Sequence, residues 1–181
     1  MDVIESVLSY ERLYERIKER PKERERAVKI IEEIKGEFNL TLIKGLERFI
    51  DLTFARLYDG MNLELPPDLD FPKLAKENSV ILVPNHQSHV DYIALTYLIW
   101  TKFKIPIFVA GGINLNIFPI GKIFRNSGCF FIRRSFQSDI LYKLVLEGYL
   151  YHLLHQGNII EFFFEGGRSR SGRLLPPRYG L

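Results

Sequence analysis

From residue 78 onward, short apolar runs alternate with longer helical stretches: SVILVPN, then VDYIALTYLIWTKF; IPIFVAG, then a shorter segment to Ser127; CFFIRR, then DILYKLVLEGYLYHLLHQG; and NIIEFFFEG. The β runs are apolar on both faces, the pattern of strands in a parallel sheet covered on both sides. Strand and helix in this order predict an α/β fold, a mostly parallel sheet with right-handed βαβ crossovers and flanking helices.

Upstream the period is helical. Residues 38–58 set Ile43, Leu46, Ile50, Phe54 and Leu57 at three- and four-residue spacing, with Lys44, Glu47, Arg48 and Asp51 between them. That is an amphipathic helix whose stripe packs on the core or, as the lesser alternative, lies on a membrane surface. Asp59-Gly60 ends it, and Pro66, Pro67 and Pro72 mark an irregular connector. Between residues 11 and 26, twelve of sixteen positions are charged, with Glu11, Glu15, Glu19 and Glu23 on one stripe and Arg12, Arg16, Arg20 and Arg24 on the next. This reads as a solvated helical arm that Pro21 breaks or restarts. The expected division is an N-terminal helical arm and connector over residues 1–77 and an α/β core over 78–181.

Length and composition agree with a packed domain: 181 residues, 46% hydrophobic and 26% charged, exclude disordered and collagenous chains. Charge is unevenly divided. Residues 1–80 carry 14 basic and 17 acidic side chains, residues 81–181 carry 11 and 5, so the second half favours an anionic ligand. The single Cys129 forms no internal disulfide and points to a reducing compartment. The first residues lack the layout of a signal peptide. The longest uncharged stretch, residues 105–121, is interrupted by prolines, glycines and asparagines, against a spanning helix. Peripheral contact with a membrane stays open.

In parallel sheets ligands gather at the carboxyl ends of strands. After SVILV come Pro84-Asn85-His86-Gln87-Ser88-His89-Val90-Asp91, after CFFI come Arg133 and Arg134, and after NIIEFFF come Glu165, Gly166, Gly167, Arg168, Ser169 and Arg170. His86 and Asp91 do not share a helix face. With His86 in the turn and the helix starting near Ser88, Asp91 faces back to the ring, fixes its tautomer and leaves the other nitrogen as a general base. A capping aspartate and a turn histidine are the plainer reading of the same spacing. Guanidinium forks and exposed glycine N–H groups suit a phosphate. Adjacent Arg133 and Arg134 point to opposite faces and so do different jobs. A flexible basic loop is the alternative for EGGRSRSGR.

Other chemistries lack their motifs. There is no G-x-S-x-G elbow, and Gly172 is followed by Arg173-Leu174 where a P-loop has Lys-Ser/Thr. The H-x-x-H pairs His86/His89 and His152/His155 lack a supporting cysteine or glutamate, so no metal is expected, and His152 and His155 read as packing or surface residues. The basic residues match no nucleic-acid-binding motif.

Together VPNHQSHVDYIALTYL, AGGINLNIFPIGKIFRNSGCFFIRRSF and FFFEGGRSRSGRLL resemble, in order and spacing, three sequence blocks of the membrane-associated glycerol-3-phosphate 1-O-acyltransferases. The resemblance implies that His86 and Asp91 are the catalytic pair. It implies acceptor contact in the second block (Gly128, Phe131, Ile132, Arg133, Arg134), chiefly through Arg134, and in the third through Glu165, Gly166, Arg168 and Ser169. It further implies transfer of a fatty acyl group from an acyl-CoA or acyl-carrier-protein thioester to the sn-1 hydroxyl of glycerol 3-phosphate. No cofactor is implied, and the expected place is the cytoplasmic face of a membrane, peripherally bound. Dihydroxyacetone phosphate or a lysophospholipid is the alternative acceptor, and a noncatalytic module binding anionic lipid is a further alternative. The family's fourth block, an apolar segment around a proline, is absent, so a fragment of a longer enzyme is expected.

Overall fold

The apolar runs pair as strands β1 (Ile81–Leu82), β2 (Ile107–Gly112), β3 (Cys129–Ile132) and β4 (Ile159–Glu161). In a computed structural model, which describes residues 2–57, 61–88 and 90–177, they form one all-parallel sheet in the order β1-β4-β2-β3. Glu161 in central β4 lies between Leu82 and Val109 of its neighbours. The run SVILVPN yields only a two-residue strand, held at the sheet edge by bonds from the Ile160 and Phe162 N–H groups to the Val80 and Leu82 carbonyls. An edge strand has one neighbour, so the ladder ends where β4 ends.

Eight helices are described: α1 (Val3–Leu8), α2 (Glu11–Glu19), α3 (Arg24–Ile34), α4 (Leu40–Leu57), α5 (Phe71–Glu77), α6 (Asp91–Phe103), α7 (Ile120–Asn126) and α8 (Ile140–His155). Side-chain alternation decides which helices cover which face. Phe108, Ala110, Phe130 and Ile160 turn toward α8 and the N-terminal helices. Ile107, Val109 and Ile159 turn toward α5 and α6, meeting Phe71, Ala75 and Ile99.

The charged arm is more than a solvated appendage. Its charges face water, yet Val7, Leu8, Leu13, Ile30, Ile31 and Ile34 are buried in the same core as Leu141, Val145 and Tyr149 of α8. Pro21 restarts the chain through a short 3-10 turn, Pro21–Glu23, where Glu23 accepts two bonds from Arg16 at 2.6 and 3.0 Å. The end of α3 is tied down from α7: the Arg125 guanidinium donates to the Glu32 and Glu33 carbonyls at 3.2 and 2.8 Å and to that of Lys35. A cation there satisfies orphan carbonyls and complements the helix dipole. Gly128, at φ 94°, lets this junction close, since a Cβ would lie 2.6 Å from both the Ile107 carbonyl and the Phe38 ring.

In α4 only part of the stripe docks. Ile43 is buried and Leu46 and Ile50 are half-buried. The contact with α6 runs through acids, with Glu47 accepting from Trp100 Nε1 at 2.9 Å and Lys104 Nζ at 2.7 Å, and Asp51 accepting from Tyr97. Phe49 and Leu52 stay exposed. The side chains of Phe54 and Leu57, the expected Asp59-Gly60 stop, His89 and residues 178–181 lie outside the described residues. No helix among the described residues is long and apolar enough to cross a membrane.

Candidate active site

After β1 the chain turns through Asn85 and His86, and α6 begins at Asp91, slightly later than the sequence suggests. Asp91 makes the turn. Its Oδ2 accepts the N–H groups of Gln87 and Ser88, each at 2.7 Å, which closes the turn leading into the helix, and lies 3.3 Å from His86 Nδ1. A side chain that folds back onto the backbone of the preceding turn explains how residues five apart meet without sharing a helical face. Burial alone would raise the Asp91 carboxyl, but the Ser88 and Gln87 N–H groups and the His86 ring outweigh it and hold the group below its ordinary value. Asp91 is therefore an anion.

The His86 ring is buried, in contact with Phe163 (centroids 4.3 Å apart) and edge-on to Tyr92 (4.8 Å). Its backbone is held on both sides by the loop after β4. The His86 N–H donates to Glu165 Oε1 at 2.9 Å, and its carbonyl accepts from the Ser169 N–H at 2.8 Å. Glu165 Oε2 accepts from the Leu175 N–H at 2.9 Å, and the Ser169 hydroxyl donates to the Arg173 carbonyl. Glu165 and Ser169 are both buried, so their polar atoms fasten backbone behind the site.

In front of the ring is a cleft of about 360 Å³ where the carboxyl ends of β2, β3 and β4 converge. Arg134, Gly166, Gly167 and Arg168 border it, together with His86 and Tyr92. Gly166 sits at φ 61°, a left-handed turn that brings backbone to the cleft edge. Arg133 also borders the cleft, but its guanidinium grips Glu33 at 2.7 and 2.6 Å, reaches Asp139 at 3.5 Å and lies over the Tyr142 ring. The two arginines thus differ in role: Arg133 binds the sheet to α3, and Arg134 remains for the cleft. A larger open depression of about 530 Å³ lies beside α6, against residues 61–64, without a histidine or arginine among its lining.

Of the residues singled out in the sequence, His86 and Asp91 are in contact, and Arg134, Gly166 and Arg168 share their cleft. Glu165 and Ser169 sit behind it. Sequence reading passed over Tyr92, Gly111, Gly112 and Asn114, which also line the cleft. The polar Asn114 interrupting the apolar run at the end of β2 is the signal that was available; Tyr92 had none. On α8 His152 is half-buried, its Nδ1 2.8 Å from Ser6 Oγ, and His155 is at the surface, stacked on the exposed Tyr151.

The parallel sheet of this α/β protein brings His86, paired with Asp91, to one cleft with Arg134 and Arg168 at the carboxyl ends of its strands. The chain belongs to the acyltransferase family, whose model, described as Acyltransferase, matches residues 69–181. It is 43% identical over 157 residues to a glycerol-3-phosphate acyltransferase of Pseudoalteromonas translucida, covering 87% of this chain and 19% of that protein. Glycerol-3-phosphate acyltransferases of Haemophilus influenzae and Histophilus somni are each 40% identical over 158 residues, with the same coverage of 87% and 19%. The chain spans about a fifth of the length of these curated relatives.

Proposed function

We propose that the cleft transfers a fatty acyl group from an acyl-CoA or acyl-carrier-protein thioester to the sn-1 hydroxyl of glycerol 3-phosphate. The observation that carries this reading is the placement of His86, paired with Asp91, in one cleft with Arg134 and Arg168. The names of the relatives supply the acceptor. A proton on Nδ1 directed at Asp91 makes Nε2 the basic nitrogen of the ring, and a base so placed contributes about 10²- to 10⁴-fold in rate.

In this mechanism the sn-1 oxygen attacks the thioester carbonyl as His86 takes its proton. The carbon–sulfur bond then breaks, and the imidazolium returns the proton to the leaving thiolate. Asp91, already an anion, stabilises the imidazolium in between. Arg134 and Arg168 hold the phosphate by charge-assisted bonds, fixing the hydroxyl against the ring. The reading calls on no resident cofactor, since the thioester is a co-substrate.

The reading places the reaction at the cytoplasmic face of a membrane. The outer side of α4 supports the membrane contact, because Lys44 and Arg48 are exposed beside Leu40, Phe49 and Leu52 while Glu47 and Asp51 bond to α6, a pairing of cations and apolar groups suited to anionic lipid.

The test is an acceptor panel with the intact protein and palmitoyl-CoA. Glycerol 3-phosphate should be acylated with the highest kcat/KM, and glycerol, lacking the phosphate, at least a hundredfold less well. A preference for dihydroxyacetone phosphate or a lysophospholipid reassigns the acceptor, and no transfer to any acceptor overturns the reading.

A further inference from the structure

Glu161 is the last residue of β4, on the sheet face covered by α6, and it is fully buried. Neither carboxyl oxygen meets a partner at full hydrogen-bond geometry, and neither does the hydroxyl of Thr96, the polar group of α6 near enough to favour the charged form. Its neighbours across the sheet, Leu82 and Val109, are apolar. The titratable groups facing it are Asp91 and Tyr92 from α6 and Cys129 from β3. Among the described residues no lysine or arginine forms an ion pair with it, and Arg168 acts on Tyr92.

An aliphatic side chain would fill this position without cost, whereas an unpaired carboxylate in such a place is untenable. Burial pushes the Glu161 carboxyl up to about 8, outweighing the Thr96 hydroxyl, which opposes it, and joined by the charge on Asp91. At neutral pH the group keeps its proton. A buried acid against the helix that starts at Asp91 is a recurrent mark of function.

We propose that Glu161 is a positioning residue for the His86–Asp91 pair that works as an uncharged acid. With its proton it lets β4 and α6 close behind Asp91 and Tyr92, and on losing the proton it draws water into that seam and loosens the helix start that carries Asp91. The inference rests on the acyl-transfer reading of the cleft. Its consequence is an alkaline limit to activity set from behind the site. The other groups facing the seam do not titrate in that range: Asp91 is held low, burial pushes Cys129 up to about 12, and burial also raises Tyr92.

The experiment measures transfer from palmitoyl-CoA to glycerol 3-phosphate by the intact protein between pH 6.5 and 9.5, for wild type and Glu161→Gln, each normalised to its own rate at pH 6.5. Wild type should fall by about tenfold per pH unit above the mid-8 range, and the permanently neutral variant should stay flat through pH 9. A variant that keeps the wild-type limb overturns the proposal. Amide exchange in the wild type provides a second arm, independent of activity and of whether the variant folds. Protection of residues 91–96, corrected for intrinsic rates, should drop about tenfold from pH 7 to pH 9, and unchanged protection overturns the proposal. A protein that transfers no acyl group defeats the reading of function, while the exchange arm still decides this inference.

Discussion

Asp91→Asn separates the two jobs that one carboxylate performs. The amide oxygen can still accept from the Gln87 and Ser88 N–H groups, now at 2.7 Å to Oδ2, so the turn survives with neutral in place of charge-assisted bonds. Charged-acceptor bonds contribute about 1.5–3 kcal/mol and neutral ones about 0.5–1.5, so two bonds place the loss of stability at about 1–3 kcal/mol. The catalytic loss is larger, because an amide cannot stabilise an imidazolium or hold its tautomer. We expect kcat to fall about 10²- to 10⁴-fold. The stability difference carries a pH signature. Asp91 is held below its ordinary value in the fold, so its contribution is present above the unfolded carboxyl pKa of about 3.9 and is lost as pH falls through the folded value. Urea denaturation should therefore show the full difference between wild type and variant at pH 7 and a shrinking one below pH 4. A folded Asp91→Asn protein with kcat within threefold of wild type refutes the catalytic half. A stability difference equal at pH 7 and pH 3 refutes the electrostatic half.

Two further outcomes follow from the same geometry. Glu165→Ala strips the acceptor from the buried His86 N–H and the half-buried Leu175 N–H, which at about 1–3 kcal/mol each should cost about 2–6 kcal/mol in denaturant unfolding. Arg168→Ala removes a charge-assisted contact of about 1.5–3 kcal/mol and should raise KM for glycerol 3-phosphate about 10- to 100-fold in initial-rate assays.

Much of this arrangement was legible in the chain because strand ends carry their residues to a common edge. The alternating runs gave the parallel sheet, and His86, Arg134 and Arg168 followed from their places just after β1, β3 and β4. What stayed hidden depends on tertiary contacts. The arm reads as solvated because its charges dominate the pattern, while its sparse Leu13 and the Ile30, Ile31 and Ile34 set are enough to seat it against α8. That Arg133 and Arg134 differ is legible from their adjacency, but Arg133 reads as an acceptor contact by position, and its partner, Glu33, lies a hundred positions away in sequence. Glu165 and Ser169 look like ligand contacts by position, and only the folded loop shows their bonds to the His86 backbone. Glu161 looks like one polar residue in an apolar run, and its burial decides its chemistry.

The most direct test of the account is single-turnover transfer from palmitoyl-CoA to glycerol 3-phosphate by the intact His86→Ala protein, with acceptor binding followed by calorimetry. The account predicts a fall in the transfer rate of at least a hundredfold with acceptor affinity within about threefold of wild type, since the phosphate is held by Arg134 and Arg168. Transfer within tenfold of the wild-type rate would contradict it.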